Sequence, residues 1–249
     1  MLSNKTIANL RSELRSHADS VRAKHSQRFF KTGPGEYGHG DVFLGVTVPV
    51  QRQIAKSYYH LSLHDIEQLL QSNVHEQRLT AIIILVAQFK KGDATTRKSI
   101  YDFYLKNTKY INNWDIVDSS APYIVSVYLW DNYAQTSSPS VETIKILSKL
   151  ARSKSVWDRR IAIMSTAYFI QQGDINETFA IAEILLHDEH DLIQKAVGWM
   201  LREVGNSVGI ENEEGFLKKH YKTMPRTMLR YAIEKFPEAK RQAYLKGAI

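Results

Sequence analysis

Four stretches of this chain repeat one helical pattern, and their spacing restricts the fold more than any other feature. Glu76-Gln77-Arg78-Leu79-Thr80-Ala81 resembles Arg159-Arg160-Ile161-Ala162, Gln194-Lys195-Ala196-Val197 and Met228-Leu229-Arg230-Tyr231-Ala232. Each sets a cation against an apolar face: Arg78, Arg160, Lys195 and Arg230. The first gap is 82 residues and the next two are 35 each. A repeat halfway along the first gap falls at Asp118, 40 residues after Arg78 and 42 before Arg160. A unit of this length holds two helices. It is too small to bury its apolar face alone and must stack on its neighbours. The expected fold is therefore all-α: a HEAT-like α-solenoid of antiparallel helix pairs with a concave basic groove, in one domain over residues 1–249.

The rest of the sequence fits this reading. Helical periodicity runs from Asn4 to about His25, from Val50 to about His60, and over about 63–71, 75–90, 95–106, 114–131, 140–152, 156–171, 176–186, 190–204, 211–220, 225–236 and 238–246. Pro122 should break the span 114–131. Ala81–Val86 is rich in β-branched residues, yet it continues the helical face begun at Arg78. The joints are short, as antiparallel neighbours require. Thr32–Asp41 holds four glycines and a proline and reads as a loop. It is not a phosphate-binding P-loop, because no Gly-Lys-Ser/Thr follows it. It should let the first helix fold back, or line a groove edge.

Composition narrows the partners. The net charge of +7 and a pI near 9.4 favour a polyanion. Absence of cysteine excludes disulfides, zinc–thiolate sites and cysteine nucleophiles, and fits a reducing compartment. No apolar run approaches the length of a membrane span, and Met1–Leu10 lacks the apolar segment of a signal peptide. A cytoplasmic location is expected, with the nucleoid as the site of action in a bacterium.

Chemistry points to Trp114 and Asp118. A spacing of four puts both on one helical face, and Asp118 is acidic where the other repeats are basic. One reading is structural: HEAT-type repeats often pair Asp and Arg between neighbours, as Asp118 and Arg160 could. The tryptophans favour a second reading. Trp157 precedes Arg160 by three and Trp199 follows Lys195 by four, whereas Trp130 reads as packing. Each alone is more often core. Together they suggest an aromatic-walled carboxylate in a basic groove. A polyanion docks on such a ladder, a cationic group is drawn to the indole faces, and the carboxylate opposes positive charge that develops in the reaction. Cleavage of the N-glycosidic bond of an alkylated purine has these features. Asp115 lies off the Trp114–Asp118 face. His187-Asp188-Glu189-His190 spans a helix joint and reads as capping rather than metal binding. Lys154, Lys218, Lys219, Lys222 and Arg226 are either phosphate contacts or solvated surface.

The chain resembles the AlkD family of DNA alkylation-repair glycosylases. The likeness begins at Phe43-Leu44-Gly45-Val46-Thr47-Val48-Pro49 and passes through His75-Glu76-Gln77-Arg78. It is strongest at Trp114-Asp115-Ile116-Val117-Asp118, at Trp157–Ala162 and at Ile193–Glu203. Where some members carry two tryptophans in a row, this chain has Asn113 before Trp114. The resemblance implies that Asp118 is the catalytic carboxylate, that Trp114 and Trp199 line the lesion nucleotide and that Arg160 contacts backbone beside it. It further implies an open cleft working on duplex DNA with alkylated purines, without metal or cofactor; no lysine sits beside Asp118 in the motif, so a monofunctional enzyme is expected, and a solenoid gripping duplex DNA can act as a monomer. Some relatives bind DNA without excising bases, so a non-catalytic DNA-binding solenoid is the alternative, and a protein–protein scaffold a more distant one.

Overall fold

The computed structural model describes residues 6–133 and 139–249. The fold is all-α, as the repeat spacing predicts. Among the described residues the only extended pairing is an isolated bridge between Val42 and Val74. The helices pack into two compact units that divide between Ser120 and Ala121.

The first unit holds α1 (Ile7–Ser16), α2 (Ser20–Phe29), α3 (Val48–Ala55), α4 (Leu63–Leu70), α5 (His75–Lys91), α6 (Ala94–Lys106) and α7 (Trp114–Asp118). Helix α5 is its axis and packs against α1, α3, α4, α6 and α7. It buries Leu79, Ile82, Ile84, Leu85 and Phe89, so the β-branched run is helical, as its periodicity indicates. Burying each such side chain contributes about 1.5–3 kcal/mol. That exceeds the few tenths by which β-branching disfavours a helix.

The helix expected from Asn4 to His25 divides into α1 and α2; Asn4 lies outside the described residues. Asp19 makes the break. Its carboxylate accepts from the amides of Val21 and Arg22 and so caps α2, while its own N–H donates to the Leu44 carbonyl at 2.8 Å. That contact requires Gly45. Its φ is +81°, and a Cβ there would lie 2.2 Å from the Asp19 carbonyl oxygen. The buried Glu76 carboxylate then accepts from the amides of Leu44, Gly45 and Val46 at 3.0, 2.7 and 3.3 Å. The glycine-rich loop is thus anchored at its far end and delivers Asp41 to the interior.

Helix α7 ends at Asp118, before the expected break at Pro122, and turns occupy the residues up to Ile124. The hydroxyl of buried Ser120 bonds the Ile116 carbonyl at 2.7 Å and the Tyr104 hydroxyl at 2.9 Å, which stops the helix one turn early.

The second unit holds α8 (Val125–Tyr133), α9 (Pro139–Ala151), α10 (Val156–Met164), α11 (Ala167–Gln171), α12 (Asn176–Ile184), α13 (Asp191–Ser207), α14 (Ile210–His220), α15 (Arg226–Ala232) and α16 (Glu238–Lys246). The helix expected over 156–171 divides at Ser165 and Thr166, where the Thr166 hydroxyl bonds the Ile163 carbonyl at 2.8 Å. Helix α13 is the axis here and lies close against α15 at Gly198. A Cβ on Gly198 would stand 2.4 Å from the Met228 carbonyl oxygen. Trp130 packs edge-on against Phe169 and Tyr168, the packing role expected of it.

Candidate functional site

In the first unit the candidate site is built on α7, a helix of five residues. Asn113 caps it and is buried; its side-chain oxygen accepts from the Trp114 amide at 2.8 Å. Trp114 opens the helix and Asp118 closes it. Both side chains are half-buried, so both reach solvent. The Trp114 indole lies face to face with Phe30 at 5.2 Å and 15°, and takes the edge of Phe29 at 5.9 Å. Phe29 is exposed. The indole is therefore braced by the end of α2.

Beneath α7 lies a buried polar cluster. His75 donates from Nε2 to Asp115 at 2.7 Å, and its Nδ1 stands 3.4 Å from Asp41. Arg78 donates to the same Asp41 oxygen at 2.6 Å and to the Ser72 carbonyl at 3.0 Å. Asn113 reaches that oxygen from the other side at 3.3 Å. The imidazole lies against Phe43 at 4.6 Å and Phe30 at 5.0 Å. Burial works against charging this ring, but the Asp115 and Asp41 carboxylates prevail and raise its pKa to about 9. Burial likewise resists ionising Asp41, yet His75 and Arg78 hold it below the ordinary carboxylate range. At neutral pH both groups are charged.

In the second unit Arg160 and Trp157 are buried, at 5% and 8% exposure. The Arg160 guanidinium donates to the Leu192 carbonyl at 2.5 Å and so joins α10 to the start of α13. Trp199 is half-buried, its Nε1 donating to Glu203 at 3.0 Å. Lys195 pairs with Asp191 at 2.8 Å, one turn back on the same helix. Arg230 is exposed on α15.

The cations at repeat positions are therefore not equivalent. A solvent-facing ladder of Arg78, Arg160, Lys195 and Arg230 was expected; Arg78 and Arg160 are instead buried and hydrogen-bonded within their own units. A guanidinium placed next to an apolar stripe can turn inward, and both do so where a carboxylate or a helix-start carbonyl is available. The segment His187–His190 serves the joint, as expected. Asp188 pairs with Arg159 at 2.6 Å, and His190 accepts from the Leu192 amide to cap α13. Among the described residues no group of three or more histidine and carboxylate side chains is placed to hold a metal ion.

The family model of the DNA alkylation repair enzymes matches residues 10–236. The chain belongs to the DNA alkylation repair enzyme family. No protein of curated function matches it significantly. A solved structure described as a predicted DNA alkylation repair enzyme from Enterococcus faecalis is similar in fold, with a TM-score of 0.68 at 16% identity over 89% of this chain and 98% of that one. Family membership gives this protein a role in alkylation repair, with DNA as its substrate. No helix among the described residues is long and apolar enough to cross a membrane.

The part of the site that the motifs miss is the cluster under this family member's α7. Asp41, His75 and Asp115 are far apart in sequence, and none falls on the Trp114–Asp118 face. Asp115 does point away from that face, as expected, but toward a charged partner. The one available signal was Asp41 itself, an acid ending a glycine-rich loop just before an apolar run.

Proposed function

We propose that this protein is a monofunctional DNA glycosylase. It hydrolyses the N-glycosidic bond of positively charged N3- or N7-alkylated purines in duplex DNA. The observation that carries the reading is the pairing of a braced indole and a carboxylate on one turn of helix, both open to solvent. The family's role in alkylation repair supports it.

The chemistry follows from the substrate's charge. An alkylated purine is already cationic, so it needs no protonation to leave. When the bond from C1′ to the base nitrogen breaks, its electron pair neutralises the base and positive charge moves to the sugar. A carboxylate near that sugar is worth more in the transition state than in the ground state. Asp118 is assigned this role, together with orienting the water that adds to C1′. The water loses its proton to Asp118 or to solvent, and an abasic site remains. The Trp114 indole is assigned to the cationic base, an attraction of about 0.5–2 kcal/mol. No lysine within the motif stands ready as an amine nucleophile, so strand cleavage is not part of the reaction.

The test is release of 7-methylguanine from a methylated duplex. Asp118→Asn should reduce single-turnover excision by a factor on the order of 100 to 1000 while duplex affinity stays within about twofold. Wild-type protein that binds the duplex and releases no base would instead place the chain among non-catalytic DNA-binding solenoids.

A further inference from the structure

A helix of five residues cannot hold its own conformation, because nucleation is unfavourable and its amides are mostly end groups. What sets the position of α7 must come from outside it. Ile116 and Val117 bury its apolar side, Ser120 ties its end to Tyr104, and three polar and aromatic contacts in the first unit set its orientation. Asp115 accepts from His75, Asn113 donates to Asp41, and Trp114 lies on Phe30. All three lead to one residue. His75 stands between both acids, and its ring supports Phe30, which supports Trp114.

This cluster is not explained by stability. Burying two acids, a histidine and an arginine costs desolvation that well-packed apolar side chains would avoid. Only one of the two Asp115 oxygens is served: Oδ1 is buried without a hydrogen-bond partner among the described residues. The other depends on His75. A neutral imidazole has one N–H and can donate to one acid, whereas an imidazolium has two and can serve both. We infer that His75, as the imidazolium bridging Asp41 and Asp115, is the positioning residue that fixes α7 and thereby orients Trp114 and Asp118. The inference rests on the assignment of Asp118 to catalysis.

The charges facing His75 are Asp41 from the loop, Asp115 from α7 and Arg78 from α5 itself. Phe30 and Phe43 lie against the ring and carry no charge. Glu76, its neighbour on α5, is turned to the Leu44–Val46 amides. The two acids keep the ring protonated through neutral pH, with its titration near 9.

The experiment combines an NMR titration of the His75 ring and the Trp114–Asp118 amides with single-turnover excision of 7-methylguanine, both between about pH 6 and 10. In wild-type protein the amides should shift and the excision rate should fall with the midpoint of the His75 ring. Asp115→Asn should move that midpoint down by about one unit or more. It should slow excision by roughly ten- to a hundredfold at unchanged duplex affinity. His75→Gln should remove the alkaline limb altogether. A purely structural role would lower the melting temperature of both variants and leave wild-type excision with no alkaline limb at the His75 midpoint. Amides in α7 that stay still while His75 titrates would overturn the inference, and this needs only wild-type protein. Excision lost in Asp118→Asn but unchanged in Asp115→Asn and His75→Gln would overturn positioning alone. Amides that follow His75 in a protein releasing no base would overturn the glycosylase reading and leave the positioning intact.

Discussion

Glu213 offers the sharpest test of how this structure carries charge. It lies in α14 and is buried, with Oε2 directed at Gly205; a Cβ on Gly205 would come within 2.0 Å of that oxygen. Its other oxygen has no hydrogen-bond partner among the described residues. Burial raises its pKa to about 8 from an ordinary 4.5; Arg202 and Lys240 oppose the shift, and Glu214 and Glu203 add to it. The sign is the reverse of a salt-bridged acid. Below pH 4.5 both the folded and the unfolded chain hold the proton, and nothing is lost. Between 4.5 and 8 the unfolded chain releases it and the folded chain does not, so stability falls as pH rises. At 1.36 kcal/mol per unit the loss reaches up to about 5 kcal/mol by pH 8 and is constant above. Glu213→Gln cannot ionise and should escape this loss. Urea unfolding at pH 4.5 and pH 8.5 measures it. The variant should be close to wild type at the lower pH and more stable by about 3–5 kcal/mol at the higher. His75 titrates in an overlapping range, but it is present in both proteins and cancels in the difference. A variant whose advantage does not change with pH would refute the reasoning.

Two further substitutions test the packing. Gly45→Ala meets the Asp19 carbonyl and forbids a φ of +81°, so it should cost about 2–3 kcal/mol, with faster amide exchange in α2 before the rest of the first unit. Arg160→Ala removes the guanidinium bond that joins α10 to the Leu192 carbonyl at the start of α13 and should cost about 1.5–3 kcal/mol in thermal or urea unfolding. Loss of duplex affinity without loss of stability would show instead that Arg160 is a phosphate contact.

The helices were legible because their signals are local. Apolar spacing marked α5 and α13, and the break at Asp19 was available in the Asp-Ser step that caps α2. The candidate pair Trp114 and Asp118 was legible for the same reason, being one turn apart. The cluster beneath it was not. His75 meets Asp41 across 34 residues, Asp115 across 40, and Asn113 meets Asp41 across 72. No periodicity connects them; they are joined by the path of a loop that Gly45 and Glu76 tie down.

The repeat cations show where pattern and accessibility part. An Arg beside an apolar stripe looks the same in sequence whether it faces a polyanion or a buried carboxylate. Arg78 faces Asp41, an acid outside the helical pattern, and Arg160 faces the carbonyl of Leu192 at the start of α13. Both choices are set by residues other than the arginine. Charge that could meet a phosphate must then be sought on side chains without such partners in reach. Helix α2 is a case in point: it buries none of its residues and carries Arg22, Lys24 and Arg28 at the surface, yet Arg22 already pairs with Asp19 and with the Gly45 carbonyl. Net charge sets the sign of the partner, but the internal acids and carbonyls decide which cations remain to meet it.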